Sequence, residues 1–212
     1  MSFFRSLIFT CMVTASTCSL PFDWCTPPQW EAVQSTLHGV FKNGVPNMEA
    51  SSLKISYDQN HSRIATTQTQ DGQSPKVKKI YDYTQKTLYV IENDTCRKAL
   101  LNETFRKACI PRDANFSWDK TRYGMDYENS VWIQEFRGTE DGISYILQTT
   151  YDHMPVFETI YGTLNGAYIL SNSAFVNTTI GIKNPDVFIP PPSCKGANDE
   201  PAVPRRPGFM TF

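Results

Sequence analysis

Three histidines, His38, His61 and His153, and two strand carboxylates, Glu135 and Glu158, are the side chains through which this chain could do acid–base chemistry. A hydrolytic triad needs a nucleophile held within hydrogen-bond reach of its base, and a glycosidase needs two carboxylates facing one cleft. No local signature delivers either arrangement. There is no Gly-x-Ser-x-Gly elbow, no His-Glu-x-x-His pair and no phosphate-cradling glycine loop. Each histidine lies in a turn-like context and reads as a surface residue, and the two glutamates read as the solvated face of a sheet. The expected class is a binding protein and not an enzyme.

Metal and sulfur chemistry are the next possibilities. Calcium requires hard oxygen donors on loops, and Asp119, Asp126, Glu128, Glu140 and Asp141 are the candidates, without an EF-hand loop to organise them. No cofactor is required, calcium is the one metal this chemistry suits, and its ligands stay unassigned. Of six cysteines, Cys11 and Cys18 fall in the N-terminal leader, leaving Cys25, Cys96, Cys109 and Cys194. That even set fits two disulfides in an oxidising compartment, and its spacing excludes a zinc finger or ribbon.

The leader agrees. Arg5, the apolar run Leu7–Val13 and the small residues at 15–19 read as a signal peptide over 1–19. The run is too short for a bilayer, which takes about 20 apolar residues, and no later run is long enough. Asn60, Asn93, Asn102, Asn115 and Asn177 each open an Asn-x-Ser/Thr sequon, as expected of a secreted glycoprotein. A formal net charge of −1 with no basic stripe makes nucleic acid an unsuitable partner.

The elements that would position these groups are strands. Leu53–Asp58 with Ser62–Thr69, and Val77–Tyr83 with Thr87–Glu92, read as two hairpins. Val131–Arg137, Ile143–Tyr151, Val156–Tyr161 and Ala167–Lys183 follow, separated by glycine-, asparagine- and aspartate-rich turns. Ile143, Tyr145, Leu147 and Tyr151 share one face, and Phe157 shares one with Tyr161, the period-two pattern of antiparallel meanders. Residues 96–109 are the best helix candidate. Residues 190–192, three prolines, should be a stiff extended rod aiming Cys194.

Residues 181–194, Gly-Ile-Lys-Asn-Pro-Asp-Val-Phe-Ile-Pro-Pro-Pro-Ser-Cys, resemble the closing signature of the ependymin-related proteins, a secreted animal family. Cys25-x-x-Pro28 before Gln29-Trp30-Glu31, Tyr57-Asp58 with Arg63-Ile64, Val131-Trp132-Ile133 through Phe136, and Pro155-Val156-Phe157-Glu158 extend the likeness over most of 25–194. The resemblance implies an all-β fold with minor α content: two stacked, curved antiparallel sheets resembling bacterial lipoprotein carriers, with a hydrophobic pocket between them. It makes 20–194 the β domain and leaves 195–212 as a disordered, proline-rich tail. By the same likeness Trp132, Phe136, Tyr145, Leu147, Phe157, Tyr161 and Ile169 line the core or the pocket. It also implies a Cys96–Cys194 disulfide, calcium association in some members, and a homodimer.

One position departs from the family. Members carry a cysteine just before the Pro-Val pair, where this chain has Asp152-His153-Met154. Cys25 and Cys109 are then left over, available to each other. The function expected is that of a secreted, non-enzymatic glycoprotein binding an apolar ligand, such as a fatty-acyl chain or glycolipid, between its sheets. The alternative is a calcium-associated component of an extracellular or calcified matrix. The expected destination is extracellular, ahead of the lysosomal lumen.

Overall fold

The computed structural model describes residues 24–69, 77–197 and 199–201. The expected leader at 1–19 and the tail beyond 201 lie outside the described residues. Strands β1 (Gln29–Lys42), β2 (Val45–Asp58), β3 (Arg63–Thr69), β4 (Val77–Asp82), β5 (Thr87–Glu92) and β6 (Thr95–Leu100) form the first half. Strands β7 (Asn115–Gly124), β8 (Ser130–Glu140), β9 (Ile143–Thr150), β10 (Pro155–Leu164), β11 (Ala167–Ile180) and β12 (Asp199–Glu200) form the second. All belong to one sheet, ordered β12-β6-β5-β4-β3-β2-β1-β11-β10-β9-β8-β7. The all-β, antiparallel class is as expected. The two halves, however, are joined by the long β1–β11 pairing, so hydrogen bonding runs unbroken across the sheet.

Local sequence explains the hairpins. Asn43-Gly44, Asp141-Gly142 and Asn165-Gly166 each place two successive residues at positive φ. That backbone twist matches the right-handed twist of the flanking strands, and asparagine, aspartate and glycine adopt it at least cost. Gly138 has a different purpose. It sits opposite Tyr145, whose ring occupies the space a β-carbon would take.

The segment 96–109 is not a helix. Its start is β6, and the remainder crosses the protein in irregular conformation. Its backbone groups are committed elsewhere: Leu101 N donates to Lys86 O, Ala108 N to the Tyr57 hydroxyl, and Ile110 N to Trp24 O. Disulfides hold both ends, Cys96 to Cys194 and Cys109 to Cys25. With its amides paired to other elements and both ends cross-linked, the segment cannot make the i to i−4 bonds of a helix.

The closing strap behaves largely as its residues suggest. Gly181 N donates to Gln29 O, and Asn184 Oδ1 accepts from Asp186 N to start a 3₁₀ turn over Pro185–Phe188. Phe188 is buried beneath the Arg63 guanidinium, 4.2 Å from its ring centroid. Pro191 is extended, but Pro192 opens a second 3₁₀ turn ending at Cys194, so the proline rod is shorter than expected. Within the expected disordered tail, Asp199 and Glu200 pair in parallel with Lys98 and Ala99 of β6.

The Cys96–Cys194 bridge closes 98 residues of sequence separation and fastens the strap beside β6. In the chain-entropy view such a loop contributes about 4 to 5 kcal/mol. Replacing both cysteines by serine should lower the urea midpoint by the equivalent of several kcal/mol. An unchanged midpoint would show that the strap is held by other contacts.

Candidate functional site

The site is the inner face of the sheet, assembled by strand parity. Trp30 pairs with Tyr57, Ala32 with Ile55 and Gln34 with Leu53, so even residues of β1 and odd residues of β2 look inward together. Across β11 the row continues through Phe175, Ser173, Ser171 and Ile169, and across β10 through Glu158 and Ile160. On β9 it reaches Ile143, Tyr145, Leu147 and Thr149, all buried.

One half of this face is filled. Trp30, Ile55, Tyr57, Ile64, Phe136, Tyr145, Leu147 and Phe175 form a single buried cluster, completed by Ala108 and Ile110 of the crossing segment. Trp30 stacks on Tyr57 at 5.4 Å, and Tyr57 on Phe105 at 5.6 Å. Trp24 stands edge-on to Phe136 at 5.2 Å and to Phe116 at 5.6 Å. The polar tips of the two stacked rings are matched: the Trp30 indole donates to Thr26 Oγ1, and the Tyr57 hydroxyl accepts from Ala108 N at 3.0 Å. Burial pushes the Tyr57 phenol above its ordinary pKa, and the Ala108 hydrogen bond opposes that in part.

The other half is open. Beyond Gln34 the inner face becomes a groove of about 600 Å³. Its floor is β1, with Gln34, Thr36, His38, Val40 and Lys42. One wall comes from β2, β3 and β4 through Glu49, Ser51, Leu53, Thr66, Gln68 and Lys79. The other comes from β10, β11 and their turn through Ile160, Leu164, Asn165, Ala167, Ile169 and Ser171. The volume lies in the range of small-molecule sites.

Of the seven expected pocket residues, Ile169 alone lines this groove. Phe136, Tyr145 and Leu147 face inward but belong to the filled half. Phe157 and Tyr161 do not. Inward residues of β10 are Val156, Glu158 and Ile160, so the odd positions look outward and Tyr161 is 45% exposed. Trp132 is 40% exposed, with the Arg122 guanidinium 4.7 Å over its ring. Most of the groove lining, on β1 to β4 and around the β10–β11 turn, lies outside the expected set, and β1, whose inward positions are mostly polar, offers no apolar alternation by which to find it.

The remaining candidates separate. Glu135 bonds to Arg137 and Gln148, while Glu158 is buried in register with Leu147 and Ser173, so the two carboxylates occupy opposite faces. Among the calcium candidates, Asp126 accepts from Glu128 N and Asn129 N and holds its pKa down through Asn129, and Glu140 pairs with Arg106 at 2.7 Å. Glu128 and Asp141 are exposed. The Asp119 side chain lies outside the described residues. Among the described residues no group of three or more His, Cys, Asp or Glu is placed to hold a metal ion.

The histidines occupy three different environments. His38 lines the groove instead of the surface. His61 is exposed and bonds to Asp58, a fully buried carboxylate that also accepts from Gln29 and Arg63. Burial raises the Asp58 pKa, but those hydrogen bonds and the Arg63 charge outweigh it and leave the group below its ordinary value. His153, partly buried, stacks on Trp24 at 5.7 Å, and its buried Nδ1 has no hydrogen-bond partner among the described residues. All five sequon asparagines are exposed.

The ependymin family model matches residues 71–194, more than half of the chain. Mammalian ependymin-related protein 1 of Mus musculus is 26% identical over 196 residues, covering 88% of this chain and 82% of the mouse protein. Its Rattus norvegicus counterpart is 27% identical over 184 residues, covering 82% and 77%. Among solved structures, an uncharacterised conserved protein of Thermus thermophilus aligns with a TM-score of 0.46 at 9% identity, over 80% of this chain and 90% of that one. A LolA superfamily protein of Nitrosomonas europaea aligns at 0.36 and 8%, over 78% and 93%. Scores this low carry no functional weight. No helix among the described residues is long and apolar enough to cross a membrane.

The His153 environment sets a pH dependence. Burial lowers its pKa, which the neighbouring Asp152 only partly offsets. The unfolded chain therefore takes up this proton as pH falls below about 6.5, before the folded protein does, and stability declines from there downward. Asp58 acts in a separate window, since its contribution is present above its unfolded value of 3.8 and is lost as pH falls through the depressed folded value. His153→Phe keeps a ring on Trp24 and should flatten thermal stability between about pH 6.5 and 5. An equally steep decline in the variant would assign the acid sensitivity to other groups.

Proposed function

The chain belongs to the ependymin family, and from that premise we propose that it is a secreted, non-enzymatic glycoprotein that holds a lipid-like small molecule along the inner face of its sheet. The observation that carries this reading is the half-filled inner face. Folding that simply maximised apolar burial would extend the aromatic cluster along the whole concavity. Here the aromatic cluster stops at Gln34; beyond it only a small cluster of Ile143, Ile160 and Ile169 with Val40 lies along one side, and a groove runs past it. Apolar contact area supplies affinity there, while the hydroxyl, amide and charged groups around it orient the ligand.

Secretion is supported by the leader-like N-terminus, the two disulfides and the exposed sequons. Disulfides persist in oxidising compartments, and bulky glycans require surface asparagines. The matrix reading gains no specific observation, because among the described residues no group of three or more His, Cys, Asp or Glu is placed to hold a metal ion.

Two measurements test the proposal. A fluorescent acyl probe titrated into the secreted protein should bind saturably. Val40→Trp, which places an indole on the groove floor, should abolish binding, and the outward Tyr161→Ser should leave it unchanged. Absence of saturable binding in the unmodified protein defeats the proposal. Separately, an N-glycosidase should increase gel mobility in steps, up to one for each of Asn60, Asn93, Asn102, Asn115 and Asn177. Unaltered mobility would remove the glycoprotein assignment.

A further inference from the structure

The two walls of the groove differ in chemistry. The β10–β11 wall presents Ile160, Leu164, Ala167 and Ile169. The facing β2–β4 wall presents Glu49, Ser51, Thr66, Gln68 and Lys79, with Leu53 its one apolar member. A simple acyl chain is apolar around its whole circumference. Laid in this groove it gains apolar contact with one wall but leaves the hydroxyl, amide and charged groups of the other without new partners, so it binds more weakly than a ligand that pairs with them.

Gln34 sharpens the point. It lies on the β1 floor at the closed end, where the groove meets the filled cluster, and it is 2% exposed. Its Oε1 is buried and has no hydrogen-bond partner among the described residues. Its inward neighbours one step along are Thr36, whose hydroxyl is already bonded to Ser173, and Ala32, which has no polar side-chain atom. An amide oxygen accepts and does not donate, so once the Gln34 amide turns its buried Oε1 toward the groove, what completes this end is a donor on the ligand.

We infer that the groove is built for a facial amphiphile: a molecule with one apolar face for the β10–β11 wall and hydroxyl or amine groups along its opposite edge, one of which donates to Gln34 Oε1. Polyhydroxylated steroid acids have this chemistry. The inference rests on the groove being the ligand site, and it adds to that reading a ligand class and a residue that discriminates within it. A site with a buried acceptor rejects an analogue lacking the donor more strongly than an apolar wall rejects a missing methylene.

The test compares cholate with 5β-cholanate, which share a ring skeleton and carboxylate and differ in the ring hydroxyls. Both are titrated calorimetrically, below micelle-forming concentrations, into the secreted full-length protein. Cholate should bind more tightly than cholanate. Gln34→Leu should weaken cholate about tenfold and leave cholanate within about twofold, since one buried hydrogen bond is removed and apolar contact is kept. Its melting temperature without ligand should be equal or higher, because an unpartnered acceptor has been deleted. Should the leucine variant fail to fold, Gln34→Met removes the same acceptor with an unbranched chain, and the same differential is expected.

Equal affinity for the two steroids, or a Gln34 variant that weakens both alike or neither, overturns the inference. A water molecule serving Gln34 whatever occupies the groove would give that result. If the acyl probe still binds in that case, the groove stands as a ligand site and only the ligand class falls. If neither steroid nor acyl probe binds, the proposed function falls with it.

Discussion

The crossing segment between Cys96 and Ala114 is the constraint on which the rest of this structure depends. A concave sheet of this width has more inner face than its own side chains can cover, and something must fill or leave each part of it. The Cys25–Cys109 disulfide and the Ala108-to-Tyr57 hydrogen bond hold the segment over one end of the concavity, where Phe105, Ala108 and Ile110 pack on the aromatic cluster. Apolar burial at about 25 cal/mol per Å² makes that end the stable core. Among the described residues the other end receives no such cover. The same anchoring that completes the hydrophobic core therefore sets the boundary at which the groove begins.

A second set of contacts holds the ends of the chain together at the base of β1. Asp58 accepts from Gln29, His61 and Arg63, and Arg63 in turn lies over Phe188 of the strap. Glu31, buried where the β1–β11 register shifts, accepts from Ser56 and from Lys183 N. Buried carboxylates are costly unless each oxygen is matched, and here they are matched by groups from strands and strap that no local interaction would bring together. The stretch Asp152-His153-Met154, where the family resemblance expects a cysteine, contributes His153, stacked on Trp24 one residue from Cys25. That contact brings an ionisable group into the packing.

Much of the architecture was legible in the residues. The hairpin turns announce themselves through Asp-Gly and Asn-Gly, Ile143–Leu147 through Ile143, Tyr145 and Leu147 at every second position, and the strap through Asn-Pro and its prolines. The most important strand was not. β1 carries Trp30 and Ala32 inward and then Gln34, Thr36, His38 and Lys42, so a hydrophobic alternation is interrupted where the groove begins. A strand that lines a partly polar groove loses the pattern by which strands are recognised. The segment 96–109 misled for the opposite reason, since its lysines, arginines, alanines and leucines favour helix locally while its cross-linked ends forbid one.

The chain by itself determined its periodicities, its turn chemistry, the even set of four cysteines after the leader and the family to which it belongs, while the pairing of those cysteines is seen in the structure. Only the tertiary structure decided which side of each strand faces inward. Period-two alternation states that Phe157 and Tyr161 share a face, but it is symmetric under exchange of the two faces. That symmetry is broken by the pairing of β10 with β9 and β11, which turns Ile160 inward and Tyr161 out. The groove likewise exists in no single stretch of sequence. It is made of residues from six strands, and register and curvature, both set by long-range hydrogen bonds, bring those strands around it.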